Sequence, residues 1–218
     1  MDDPCPLLNI SLPKIYAITD TGISGISHEE QVARLIAGGI RLIQLRAKNA
    51  TSREFYESAK AVVSYAREHG TKVLINDRVD IAAAVGADGV HLGQDDLAPE
   101  LARKILGSKA IIGYSTHSLE QVRIALRYPV DYLAIGPVFR TKTKVNSDPV
   151  IGIERLQEVS REIGEMPLVA IGGINLTNLN TVFEAGANSI AVVGGLISNA
   201  EKISEMAKAF IFQSDSRD

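Results

Sequence analysis

Residues Leu42–Gly93 read LIQLRAKNATSREFYESAKAVVSYAREHGTKVLINDRVDIAAAVGADGVHLG, and the architecture turns on their pattern. Three short apolar runs, Leu42–Arg46, Val73–Asp77 and Gly89–Gly93, are rich in Leu, Ile and Val without clean alternation. That is the signature of parallel strands buried on both faces. Between the first two runs, Phe55, Ala59, Val62 and Ala66 recur at i, i+4, i+7 and i+11, one apolar stripe of a helix. Thr51 followed by Glu54 predicts a capping box at its start, and Gly70 stands where it should stop.

The same alternation extends to both ends of the chain. Further strands are predicted at Ile15–Asp20, Ala110–Thr116, Tyr132–Pro137, Leu168–Gly173 and Ser189–Gly194. Ser27 and Glu30 predict a second capping box, Gly38-Gly39 a helix stop, and Leu119, Val122, Ala125 and Leu126 a helix after the fifth strand. Ile203, Met206, Ala207, Phe210 and Ile211 form a last apolar stripe. Eight βα units in sequence fit an α/β fold of the (β/α)8 TIM barrel type better than an open doubly wound sheet. At 218 residues the chain is long enough for one such domain, 1–218, with frayed ends expected at 1–13 and 213–218.

Composition narrows the function. Lys and Arg number 23 and Asp and Glu 26, a net charge of −3, which argues against nucleic acid as a partner. Trp is absent and aromatics are 5%, so no stacking platform for single strands is expected. No apolar run is long enough for a membrane span, and the acidic start Met1-Asp2-Asp3-Pro4 does not read as a signal peptide. The single cysteine, Cys5, excludes an intramolecular disulfide and a Cys-rich metal site. A soluble, reducing compartment is expected, which in a bacterium is the cytoplasm.

Barrel chemistry sits at the C-terminal strand ends, and each apolar run here ends in polar or glycine residues. Thr19-Asp20, Gln44 through Lys48, Asn76-Asp77, His91 through Asp96, Ser115-Thr116-His117, Thr141 through Lys144, Gly172-Gly173 and Gly194-Gly195 form the predicted rim. The two glycine pairs follow strands seven and eight, where backbone N–H groups can cradle a phosphate, although each pair alone also reads as a tight turn. Asp77 and Asp96 would end neighbouring strands, a placement suited to Mg2+, yet each taken singly reads equally as a helix cap. Gln44, Arg46 and Lys48 occupy alternate positions and would point one way from a strand. Cations in an apolar barrel mouth need anions to meet them, and Lys142 and Lys144 add positive charge. His91 reads as a satisfied core group, His28 and His69 as helix-end residues, and His117 as a candidate for ligand contact. The chain has no Ser-His-Asp order, no HExxH and no G-x-G-x-x-G after a strand.

Taken in order, several motifs resemble the thiamin phosphate synthase family. They are Tyr16-Ala-Ile-Thr-Asp20, Gln44-Leu-Arg-Ala-Lys48, Asn76-Asp77-Arg78-Val-Asp80, the run from Gly89 to Asp96, Gly113-Tyr-Ser-Thr-His-Ser118, the run from Gly136 to Lys144, and Ala170-Ile-Gly-Gly-Ile174. The likeness covers roughly residues 14–210, one motif per βα unit. It implies a (β/α)8 homodimer that joins hydroxymethylpyrimidine diphosphate to a thiazole or carboxythiazole phosphate and releases pyrophosphate by a dissociative displacement. It further implies that Gln44, Arg46, Lys48, Asn76, Ser115 and Lys144 face the pyrimidine diphosphate, with Arg46, Ser115 and Lys144 serving catalysis. By the same resemblance Asp77 and Asp96 bind Mg2+, and Thr141, Thr143, Gly173, Val193 and Gly194 hold the thiazole phosphate. Gly194 stands where the family often has Ser, and Arg140 where Pro is common. Two other readings remain. A thiazole tautomerase would use His117 and would not need Gln44, Lys48, Asn76, Asp77, Asp96 and Lys144. A non-catalytic phosphate-ligand barrel would need no complete set of charged site residues.

Overall fold

Strand and helix alternate from Ile15 to Asp215 in a computed structural model that describes residues 10–141 and 149–216. The strands are β1 (Ile15–Ile18), β2 (Leu42–Leu45), β3 (Lys72–Asn76), β4 (Gly89–Leu92), β5 (Ile111–Thr116), β6 (Tyr132–Ile135), β7 (Leu168–Ile171) and β8 (Ser189–Val192). All pair in parallel in chain order, and β8 closes on β1 through Ile15↔Ile190 and Ala17↔Val192. The predicted (β/α)8 barrel is the observed fold.

The helices are α1 (Thr21–Ser24), α2 (His28–Ala37), α3 (Ser52–Glu68), α4 (Val79–Val85), α5 (Pro99–Leu106), α6 (Leu119–Ala125), α7 (Gly152–Glu162), α8 (Leu179–Glu184), α9 (Gly194–Ile197) and α10 (Ile203–Asp215). Thr51 and Glu54 form the full capping box of α3. At α2 only half of the predicted box forms. Ser27 accepts from the Glu30 N–H at 3.2 Å, but the Glu30 carboxylate turns to Arg34, at 2.5 Å, one helical turn on. Among the described residues no helix is long and apolar enough to cross a membrane.

Alternation hides inside the strands. Tyr16, Ile18, Leu42, Leu74, Tyr132, Ala134, Val169 and Ala191 fill the barrel interior, while Ile15, Ala17, Ile43, Leu45 and Ile75 face the helices. Both sides are apolar, so the period of two does not show in the residue types. The interior includes two tyrosines because a neighbour yields. A Cβ on Gly113 would lie 2.0 Å from Cζ of Tyr132, so only glycine leaves room for that ring.

Two boundaries differ from expectation. Fraying is expected over 1–13, but within that stretch Ile10 and Leu12 pack against the barrel-interior cluster. It is also expected over 213–218, but α10 continues to Asp215. Gln213 donates to the Leu176 carbonyl at 2.7 Å and Ser214 is buried. Residues 1–9 and 217–218 lie outside the described residues.

Candidate active site

Gln44, Asn76, His91 and Ser115 sit in the last residues of their strands, and other rim residues follow the strand ends. β1 ends at Ile18, β2 at Leu45, β7 at Ile171 and β8 at Val192, so Asp20, Arg46, Lys48, Gly172, Gly173 and Gly194 lie beyond them on the rim. The alternate spacing of Gln44, Arg46 and Lys48 is therefore not one strand's pleat. All three nonetheless line a single cavity of about 610 Å3. Asn76, Asp77, Asp96 and Ser115 line it from the neighbouring strands, and Thr141, Gly173, Val193 and Gly194 from the far side. Thr143 and Lys144, with Lys142, lie outside the described residues.

The helix-cap readings of Asp77 and Asp96 are not realised. α4 begins after Arg78 and α5 after Ala98, and neither cap residue makes a side-chain bond to the helix. Asp96 instead accepts from the Gly93 N–H at 2.6 Å. Asp77 has φ of 62°, the one positive value for a non-glycine among the described residues. Aspartate tolerates this left-handed region better than most residues, at a cost of roughly 1–3 kcal/mol. Burial raises the Asp96 carboxyl above the ordinary range, and Asp77 adds to the shift by its charge and a side-chain hydrogen bond, against the lowering effect of the Gly93 N–H.

The rim cations have partners within the chain. Lys48 Nζ lies 2.5 Å from Asp77 Oδ2, and Arg46 pairs with Asp20, whose other oxygen accepts from the Gly22 N–H at 2.9 Å. The anions that these cations were expected to need are, in the structure, protein carboxylates. Arg46 and Lys48 also border a second recess, shared with Ser27, Glu29 and Glu54 at the starts of α2 and α3.

Across the cavity the wall is backbone. Gly172 and Gly173 have φ of 101° and 68°. A Cβ on Gly173 would lie 2.7 Å from the Arg140 carbonyl oxygen and 2.7 Å from Phe139 Cβ, so close approach as well as dihedral angle demands glycine there. After β8 the short helix α9 begins at Gly194, with the Leu196 and Ile197 N–H groups bonded to the Val193 carbonyl at 2.9 and 3.1 Å, so only the N–H groups of Gly194 and Gly195 precede its first bonded turn. A short extra helix in this place is a frequent phosphate site of such barrels.

His91 is satisfied, as expected of a core group, but it also lines the cavity. Its Nδ1 is 2.8 Å from Tyr132 Oη and its Nε2 is 2.8 Å from Ser115 Oγ. Tyr132 Oη is 3.0 Å from Tyr16 Oη, to which Gln44 Nε2 donates at 2.8 Å. Burial pushes His91 down to about 4 and raises both tyrosines. His28 is buried at the start of α2 against Thr19, at 2.9 Å, and His69 caps α3. His117 donates from Nδ1 to the Gly136 carbonyl at 2.7 Å. Sequence reading missed the roles of Tyr16, Tyr132 and Asp20. The available signal was a hydroxyl in the middle of a buried strand, which must find a partner.

Among the described residues no three His, Cys, Asp or Glu side chains gather as a metal cluster. The Asp77–Asp96 pair nevertheless suits a hard divalent cation. Mg2+ takes one or two protein carboxylates and completes its shell with water and substrate phosphate. Two facing acids, one of them held above its ordinary range, would be relieved by such an ion.

A family model described as thiamine monophosphate synthase matches residues 15–196. The chain is 45% identical to the thiamine-phosphate synthase of Koribacter versatilis, over 86% of this chain and 90% of that one. It is also 45% identical to that of Syntrophomonas wolfei, over 89% and 93%. Among solved structures, a thiamine phosphate pyrophosphorylase from Pyrococcus furiosus superposes with a TM-score of 0.84 at 36% identity, covering 93% of this chain and 96% of that chain.

Proposed function

The chain belongs to the thiamine monophosphate synthase family, and from that premise we propose that it is a transferase of thiamine biosynthesis. It joins hydroxymethylpyrimidine diphosphate to a thiazole or carboxythiazole phosphate, forming thiamin phosphate and releasing pyrophosphate. One observation carries this reading: a single cavity has charged and amide side chains on one wall and a glycine backbone on the other. Such a cavity suits two phosphorylated ligands meeting across it.

The carbon–oxygen bond between the pyrimidine methylene and the diphosphate breaks, and the thiazole nitrogen attacks that methylene with its own lone pair. No general base is required. Gln44 orients the pyrimidine through its amide. Asn76 and Ser115 contact the same substrate, and Arg46, Lys48 and Lys144 face the diphosphate. Thr141, Thr143, Gly173 and the backbone of Val193 and Gly194 hold the thiazole phosphate, so the nitrogen points at the methylene. Asp77 and Asp96 would hold Mg2+, which supplies positive charge to the departing pyrophosphate. The assignments of Thr143 and Lys144 rest on the Thr141–Lys144 motif alone.

A homodimer in the cytoplasm completes the proposal. Leu101 and Ile105, one turn apart on the exposed side of α5, follow the exposed Leu97 just before it, with Ile105 56% exposed, and Ile124 is exposed on α6. An apolar strip of this kind suits cover by a second copy, and light scattering of the purified protein should return twice the chain mass.

The direct test is to incubate the protein with both phosphorylated substrates and Mg2+. Thiamin phosphate and pyrophosphate should appear in equal amounts, and neither when the pyrimidine substrate is omitted. No thiamin phosphate in the complete mixture would overturn the assignment.

A further inference from the structure

Gln44, Tyr16, Tyr132, His91 and Ser115 come from β2, β1, β6, β4 and β5, yet they form one unbroken hydrogen-bond chain across the barrel interior. Both ends of the chain line the cavity, at Gln44 and at Ser115. Tyr16 and His91 border it as well, but the inner members are nearly closed to water: Tyr16 is 1% exposed and Tyr132 0%. The rings are also held in place. Tyr132 meets Tyr16 edge-on at 87° and stacks on His91 at 24°.

Proton counting gives the chain a direction. The Gln44 carboxamide turns its Nε2 toward Tyr16, and an NH2 group only donates. The Tyr16 oxygen therefore accepts, and its one proton goes to the Tyr132 oxygen. Tyr132 then spends its own proton on His91 Nδ1. Burial keeps the imidazole neutral, so it carries one N–H, at Nε2, and donates it to Ser115 Oγ. The Ser115 proton is left to point into the cavity, as is the Gln44 carbonyl oxygen. The one other fully satisfied arrangement is the complete reversal, with the carboxamide turned about. The two ends therefore cannot change role independently.

We propose that Tyr16, Tyr132 and His91 are positioning residues, a relay that makes Gln44 present an acceptor and Ser115 a donor to the same ligand. This rests on the reading that the cavity receives an aminopyrimidine diphosphate. The exocyclic amine of that substrate donates, and its ring nitrogens and phosphate oxygens accept, so it matches this polarity. A pyrimidine with an oxo group in place of the amine presents the opposite polarity at Gln44, and the relay disfavours it.

The tautomer of His91 reports the direction without any turnover. In 15N-labelled protein, with the His91 signals identified by their loss in His91→Gln, the wild type should show the Nε2–H form. Tyr16→Phe removes the hydroxyl that orients Tyr132, and both tautomers should then be populated. The same variant should raise KM for the pyrimidine diphosphate about tenfold, the scale of one hydrogen bond, and change KM for the thiazole phosphate less than twofold. An Nδ1–H form in the wild type would overturn the relay. So would an unchanged tautomer or unchanged pyrimidine KM in Tyr16→Phe. If that variant does not fold, the wild-type tautomer and Tyr132→Phe, which should also mix the tautomers, still decide. A wild type with the expected tautomer that makes no thiamin phosphate would defeat the functional reading and leave the relay's direction standing.

Discussion

The two walls of the cavity work by different means. The wall from β2 to β5 presents side chains: Gln44, Lys48, Asp77, Asp96 and Ser115 each bring a particular group. The wall after β7 and β8 presents backbone, with Gly172 and Gly173 in conformations and contacts that exclude a Cβ. A side-chain wall can be altered one charge at a time. A backbone wall fails by shape, because a single added carbon displaces a loop.

The carboxylates of the first wall should show the largest effect. Asp77→Asn and Asp96→Asn should each lower kcat by about 10²-fold or more, the scale of losing one electrostatic stabiliser. Chelation of divalent ions should silence the wild type. Full turnover in EDTA, or wild-type rates in both variants, would remove the metal from the side-chain wall.

Next comes the backbone wall. Gly173→Ala places a Cβ 2.7 Å from the Arg140 carbonyl oxygen at a φ of 68°. It should raise KM for the thiazole phosphate by about tenfold, since strain at such a position is on the order of 1–3 kcal/mol. KM for the pyrimidine diphosphate should move far less. Equal changes in both would mean that the walls are not separate in function.

The smallest effect is on stability. The Asp96 carboxyl is raised in the folded state, chiefly by burial, so its charged form opposes folding at neutral pH. That opposition is present above the raised value and fades as pH falls through it. Without metal, Asp96→Asn should therefore raise Tm slightly at pH 7, the effect being reduced by solvent screening of this partly exposed group. The gain should shrink toward pH 4. A lower Tm at pH 7 would show that the bond to the Gly93 N–H outweighs the burial.

The walls also differ in how well sequence reveals them. The strands, α3 with its capping box, and the gathering of Gln44, Asp77, Asp96 and Ser115 at one rim all follow from local pattern. Apolar runs ending in polar residues suffice for that. The pairing of Arg46 with Asp20 does not follow, because it joins residues 26 positions apart across two strands. Nor does the relay, since Tyr16 and Tyr132 look like ordinary strand residues until barrel closure turns both inward. The Glu30 carboxylate was misread because Arg34, one turn away, competes for it and wins. The acids that meet the rim cations were not legible, because local spacing does not reveal which carboxylates lie across the gap.

Gly113 has a consequence for how this protein can diverge. It stands on β5 against the ring of Tyr132 on β6. Any larger residue at 113 collides with the ring, and loss of the ring leaves a void that a larger residue at 113 could fill. Drift at either position alone is harmful, so the two should be inherited as a linked pair. Descendants that abandon one should have abandoned the other, and with it the amine preference of their pyrimidine substrate.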